Sequence, residues 1–565
     1  MTPRNLPLLC LALLLTGCAA AGSRVQTAHA AVPAPPASGF SSPDEAVTYH
    51  VFMGELAQGR KDPKDAIAEY RAAAELSRDA SLSAHAALLA YESGDLATAS
   101  ELARRWQSLA PDSVDAIHLV GVLDARRGDA EAAAQAFESL LGSHAEISYM
   151  PAARLLEQET DPEHGLPVLQ AIVTANPKSA DAHFALAHAA MEFKRYDLAE
   201  REARAAMALD PKAKEPLVML ARALTAEGKA DDALSMLAAR AHAAGDDVEL
   251  ALAYAALLEE AHHEVESRKE FQDILTAHPD NADALYTLGL MLLQEKDLPR
   301  ARSEFTRLLK TGKRPDDASY FLGSIAETEK HYPDALVWYR RVEDGERWLP
   351  AQAGIGRTLV ESGAPTAAAE FFDDLVADDP EAAVALRLAE GQVFSDAGDS
   401  KRALGIYNAA LASSPGDQDL LYARALVLEQ DGDASAAEKD LTALVKRQPD
   451  DAVALNALGY TLTLHTNRYA EARDYIQRAL VLQPGDPAIM DSMGWVEYRM
   501  GDASLALQYL QKAYASQPDP EIAAHLVEVL LATGDKDGAH ALWTKAMAAS
   551  PDSAPLKSLA PRFNP

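Results

Sequence analysis

Cysteine is nearly absent: the 565 residues contain only Cys10 and Cys18. Cys10 lies in an apolar run that reads as a removable leader. That leaves Cys18 alone in the mature chain and excludes an internal disulfide. There is no paired-cysteine motif, no Gly-rich phosphate loop and no Gly-x-Ser-x-Gly elbow. The usual sequence signals for structural zinc, nucleotide handling and serine-hydrolase chemistry are therefore missing, and no cofactor is expected. Period-2 alternation is also absent, and alanine and leucine dominate, which points away from strands. Positive charge is scarce, at 52 basic against 85 acidic residues and a formal charge of −33. Such a surface repels phosphate, so nucleic acid is excluded as a partner, and it gains nothing from anionic lipid. A basic protein partner suits it. The sixteen histidines are scattered. The densest group, His262-His263-Glu264, is expected on a helix or at its end, where adjacent side chains diverge and share no metal-binding face. The acidic pairs Asp373-Asp374 and Asp378-Asp379 read as caps or solvated charge. The chain is expected not to be an enzyme.

What the sequence does have is a beat. Prolines recur at 415, 449, 484, 518 and 551, in steps of 34, 35, 34 and 33 residues. Within one unit, Gly494 stands mid-helix, where glycine costs about 1 kcal/mol relative to alanine. Counting Gly494 as position 8 places Gly501 at 15, Ala506 at 20, Ala513 at 27 and Pro518 at 32. Small residues at 8, 20 and 27 suit close helix approaches, so Gly121, Gly289, Gly459, Gly494, Ala506 and Ala513 are expected packing contacts. Gly501 can end the first helix in the left-handed conformation, and Asp502 can cap the second. The Gly-Asp corner returns at 94, 128, 398, 432 and 534, and alanine holds position 20 from Ala66 to Ala539.

This 34-residue helix-turn-helix period resembles the tetratricopeptide repeat. The resemblance spans residues 44–553 and implies an all-α superhelical solenoid of about fourteen or fifteen hairpins. The pattern fades over 141–177 and 245–279, the two candidate joints. In this family the concave face is lined by first-helix positions 2, 5, 9 and 12. Carried over, the resemblance implies a partner-binding groove formed by Phe184, Tyr286, Leu290, Leu293, Tyr320, Tyr422, Asn456, Tyr460, Trp495 and Tyr498. His188, Met191, Asp283, Asp317, Glu327 and Asp491 occupy further face positions. A groove of aromatics and leucines within an acidic rim suits a helix or an extended peptide. Packing against neighbouring repeats is the competing use of the same side chains. Trp495 and Tyr498 are the sharpest candidates for exposed binding aromatics, and the acidic Glu497 marks their turn as unusual. The basic clamp with which some family members grip a terminal carboxylate is not evident around Asn456.

The start of the chain reads differently. Arg4, the apolar run Leu6–Leu15 and Leu15-Thr16-Gly17-Cys18 describe a secretory leader too short to span a bilayer as a mature helix. Leu-Thr-Gly-Cys resembles the bacterial lipoprotein box, which implies cleavage after residue 17 and acylation of Cys18. Ala19 then implies an outer-membrane destination. Residues 18–43, rich in Ala and Pro, read as a tether, and 554–565 as a tail. The closing repeats, with "DPAIMDSMGWVEYR", resemble those of proteobacterial outer-membrane tetratricopeptide lipoproteins, including LbcA-type adaptors of periplasmic carboxyl-terminal processing proteases. That resemblance implies a lipid-anchored adaptor whose partners are a PDZ-containing serine protease and its substrates. The alternative is an assembly factor for a pilus, polysaccharide-export or other envelope secretion machine.

Overall fold

The computed structural model describes residues 40–141, 148–243 and 247–563. The leader, Cys18 and the tether as far as residue 39 lie outside the described residues. The described residues form thirty-one α-helices and two short 3-10 turns, with no strand among them. Thirty of the helices follow one another as fifteen hairpins. The described residues divide into two compact units, one ending at residue 239 and the other beginning at residue 240. Six hairpins begin in the first unit and nine lie in the second.

The position-8 glycines are explained by what lies sixteen, or for Gly459 seventeen, residues further on. A Cβ on Gly121 would stand 2.6 Å from the Phe137 ring, and one on Gly289 would stand 2.7 Å from Phe305. In the same register Gly54 meets Tyr70, Gly323 meets Tyr339 and Gly356 meets Phe372. The second helix of each such hairpin lays a large side chain directly on the backbone of the first. Gly494 and Gly459 serve aliphatic partners instead, with a Cβ falling 2.6 Å from Leu510 and 2.5 Å from Ile476. The position-20 alanines complete the contact. Eleven of them, from Ala66 through Ala506 to Ala539, are at 0% exposure, and so is Ala513 at position 27. Any larger side chain there would force the helices apart.

The corners obey the same logic with one variation. Gly501 ends helix Pro487–Met500 at φ 95°, and Asp502 accepts the Leu505 N–H at 2.9 Å to start the next helix. In five repeats a side-chain-bearing residue takes the left-handed position: Lys61, Lys194, His262, Lys296 and Lys330, at φ 57–61°. Sequence reading misses these corners because their signal is conformational rather than compositional. His262 and His263 thus form a turn, with His263 at the N-cap of helix Glu264–Ala277.

In the first faded stretch, helices Met150–Glu159 and Pro162–Ala175 form a hairpin without a position-8 glycine, and Leu156 and Leu169 fill its core. The C-terminal segment expected to be a tail is folded as helix Ala554–Leu559. Leu556 is fully buried, and its carbonyl accepts the Trp543 indole N–H at 2.8 Å. Phe563 stacks on Trp543, so the segment caps the last hairpin.

Candidate functional site

The first-helix face positions fall into separate groups with different surroundings. In the first unit, Phe184 is half-buried on helix Ala180–Glu192. On the same helix, His188 Nδ1 lies 2.8 Å from Glu157 Oε1. That hydrogen bond, opposed by burial, raises the imidazole pKa above 6.5. A raised folded-state value means the pair stabilises fully below about pH 6.5 and loses its contribution as pH climbs through the folded value. His188→Gln should therefore lower the melting temperature most at pH 6 and progressively less toward pH 8. Parallel melting curves for the two proteins at those pH values check this.

In the second unit, arginines from neighbouring repeats hold the first aromatic group. The Arg347 guanidinium donates to Asp317 at 2.8 Å and to the Tyr286 hydroxyl at 2.9 Å. It lies 5.3 Å from the Tyr320 ring centre, while Arg314 sits 4.5 Å over Tyr286. Leu290 and Leu293 pack against the local core. Glu327 accepts from Arg357 at 2.8 Å and from the buried Tyr339. This stretch of the face is largely engaged within the protein.

Further along, the structure brings Tyr422, Asn456 and Tyr460 together. They line a cavity of about 230 Å³ between helices Gln418–Gln430, Ala452–His465 and Pro487–Met500. The Asn456 side-chain oxygen is buried without a hydrogen-bond partner. The Tyr460 hydroxyl donates to Glu521, two repeats ahead, at 2.7 Å. Burial first, and the Glu521 carboxylate second, push the Tyr460 pKa far upward. Burial, then Asp451 and Glu429, raise that of Tyr422.

Trp495 is not the exposed aromatic that the sequence suggests. Only 8% of it is exposed, because His525 from the following repeat stacks on its ring at 4.2 Å and 19°. His525 also meets the buried Asp491 carboxylate at 2.9 Å. Burial raises the Asp491 pKa, and the His525 contact partly offsets it. The Trp495 indole nitrogen has no partner, and Tyr498 lies 5.3 Å away, half-buried. Glu497 is buried and paired with Arg473 at 2.6 Å, which pins this turn. His525, Glu521 and Arg347 were missed in the sequence. His525 falls one place past position 5, counted from the Gly534 corner, and so lies off the face template.

Among the described residues, no group of three His, Cys, Asp or Glu side chains is placed to hold a metal ion. The site offers tyrosines, an amide, carboxylates and a cavity.

A family model described as "Tetratricopeptide repeat" matches residues 150–214, 266–313, 297–347, 388–441, 422–487 and 492–554, together more than half the chain. A TPR repeat-containing protein of Pseudomonas aeruginosa is 32% identical over 495 residues, covering 86% of this chain and 83% of that protein. Among solved structures, the APC/C hetero-tetramer Cut9–Hcn1 is 16% identical over 91% of this chain and 96% of that one, with a TM-score of 0.32. A thermophilic TPR protein of Thermus thermophilus is 25% identical over 30% of this chain and 94% of that one, with a TM-score of 0.29.

Proposed function

The chain belongs to the tetratricopeptide-repeat family, and from that premise we propose that it is a non-catalytic scaffold held to the outer membrane by acylated Cys18. Its first-helix face binds periplasmic proteins, foremost a carboxyl-terminal processing protease and the substrates brought to it. Repeats of this family are suited to protein–protein interaction. The observation that carries the binding role is the cavity where Tyr422, Asn456 and Tyr460 from successive repeats converge, with an amide oxygen unpaired. Support for the anchor is Leu15-Thr16-Gly17-Cys18 behind a short apolar leader. No helix among the described residues is long and apolar enough to cross a membrane.

Two experiments test this. Cys18→Ser should abolish palmitate labelling and release the protein from the outer-membrane fraction, and a variant that still fractionates there contradicts the anchor. Affinity capture of the solubilised wild-type protein, read by mass spectrometry, should recover a PDZ-containing serine protease. Recovery of secretin or polysaccharide-export subunits instead would replace the adaptor with an envelope-assembly factor.

A further inference from the structure

The cavity at Tyr422, Asn456 and Tyr460 has a chemical bias that a general protein-binding face does not require. Its remaining polar lining includes Glu429 and Asp486, and none of its lining residues is Lys, Arg or His. Glu429 already meets His465 at 3.2 Å and Thr461 at 3.4 Å, both long contacts that leave acceptor capacity on its two oxygens. Asp486 uses one oxygen to cap Ile489 N–H at 2.9 Å, and among the described residues no hydrogen bond engages the other. The orphaned Asn456 atom is an acceptor too. Carboxylates also dominate the surroundings: Asp451 and Glu429 act on Tyr422, and Glu521, Asp491 and Glu429 on Tyr460. Against this stand two tyrosine rings and the exposed apolar side chains of Leu426 and Val453. The pocket therefore combines apolar and aromatic walls with several hydrogen-bond acceptors and no cation.

We propose that this cavity takes a basic side chain, lysine or arginine, from the bound protein. The aliphatic stem would lie along Leu426 and Val453 and the charged head would meet Glu429 and Asp486. A long cationic side chain is the natural occupant of such a place, because it buries its methylenes on apolar surface while its head donates several hydrogen bonds. Tyrosine faces add attraction for a cation within about 6 Å. A volume of about 230 Å³ holds one such side chain rather than a folded element. The net charge of −33 draws basic segments toward the surface, and the cavity gives one residue of such a segment a fixed seat.

The proposal rests on the first-helix face being the partner-binding face, and its test separates the two. The full chain, methyl-labelled at Leu and Val, is titrated with Nα-acetyl-lysine methylamide and with its norleucine isostere. The lysine compound should shift the Leu426 and Val453 methyl signals and bind at least tenfold more tightly than the norleucine compound. Glu429→Gln combined with Asp486→Asn, which keeps the helix cap, should remove that preference while leaving the melting temperature in place. Equal binding of the two compounds, shifts confined to other methyl groups, or an unchanged preference in the folded double variant would each overturn the proposal. If the captured protein binds this face but ignores the double variant, the basic-residue inference fails and the scaffold reading stands. If the lysine compound binds as described and no protein is captured, the reverse holds.

Discussion

Gly494→Leu is expected to lower stability by at least about 1–3 kcal/mol, because the new side chain begins inside an occupied volume. Its Cβ would stand 2.6 Å from Leu510 Cγ, 3.0 Å from Leu510 Cδ2 and 3.1 Å from the Ala506 carbonyl oxygen. Leu510 is at 0% exposure and Ala506 is part of the opposing helix backbone, so neither can step aside without moving the hairpin. Even alanine is too large there. Gly405 supplies the internal control, since it is also mid-helix, in Ser400–Ser413, but its Cβ would meet nothing within 4 Å. Gly405→Ala should therefore raise stability by up to about 1 kcal/mol, the ordinary helix preference for alanine over glycine. Denaturant unfolding of both variants reads the contrast. A loss for Gly494→Leu with a gain for Gly405→Ala sustains the packing contact, and a neutral Gly494→Leu removes it.

Trp495→Ala carries the second large effect, a loss of about 3 kcal/mol, at the low end of the range for deleting a buried large aromatic. The low end applies because truncation also removes an indole N–H that is buried without an acceptor. What is lost is the stacked contact with His525 at 4.2 Å and the ring's burial between consecutive repeats. Trp495→Phe keeps a ring against His525 and discards the unpaired N–H, so it should cost less than about 1.5 kcal/mol. If Trp495→Ala unfolds at the wild-type denaturant concentration, the ring is not the inter-repeat contact that the geometry describes.

These two residues also show how far the sequence could be read. Gly494, Gly121 and Gly289 were recognisable as contacts from period alone, because a helix hairpin of fixed length must bring position 8 against the same place every time. The identity of the opposing residue, sixteen places on, follows from that register. The Gly-Asp corners were legible for the same reason, while Lys61, Lys194 and Lys296 in the same conformation were not, since lysine carries no turn signal. The face was legible as a set of positions but not as a surface. Whether Tyr286, Tyr460 or Trp495 is open depends on side chains that arrive from other repeats. Arg347 reaches Tyr286, and Glu521 accepts from Tyr460, each across 61 residues of sequence. His525 covers Trp495 from the first helix of the next repeat. A repeat template fixes which way a side chain points and says nothing about what the next repeat lays over it.

If the cavity-bearing stretch of the first-helix face holds the partner, two exposed residues at its wall allow that to be asked without disturbing the core. Leu426 is 37% exposed and Val453 is 51% exposed. Changing both to arginine would fill the cavity mouth with long charged side chains while leaving the buried helix contacts in place. The decisive measurement is the affinity of this double variant for the captured protein, with its melting temperature recorded on the same sample. A wild-type melting temperature is expected, with binding weakened by about 2 kcal/mol or more, roughly thirtyfold. Wild-type affinity in a folded double variant would contradict it.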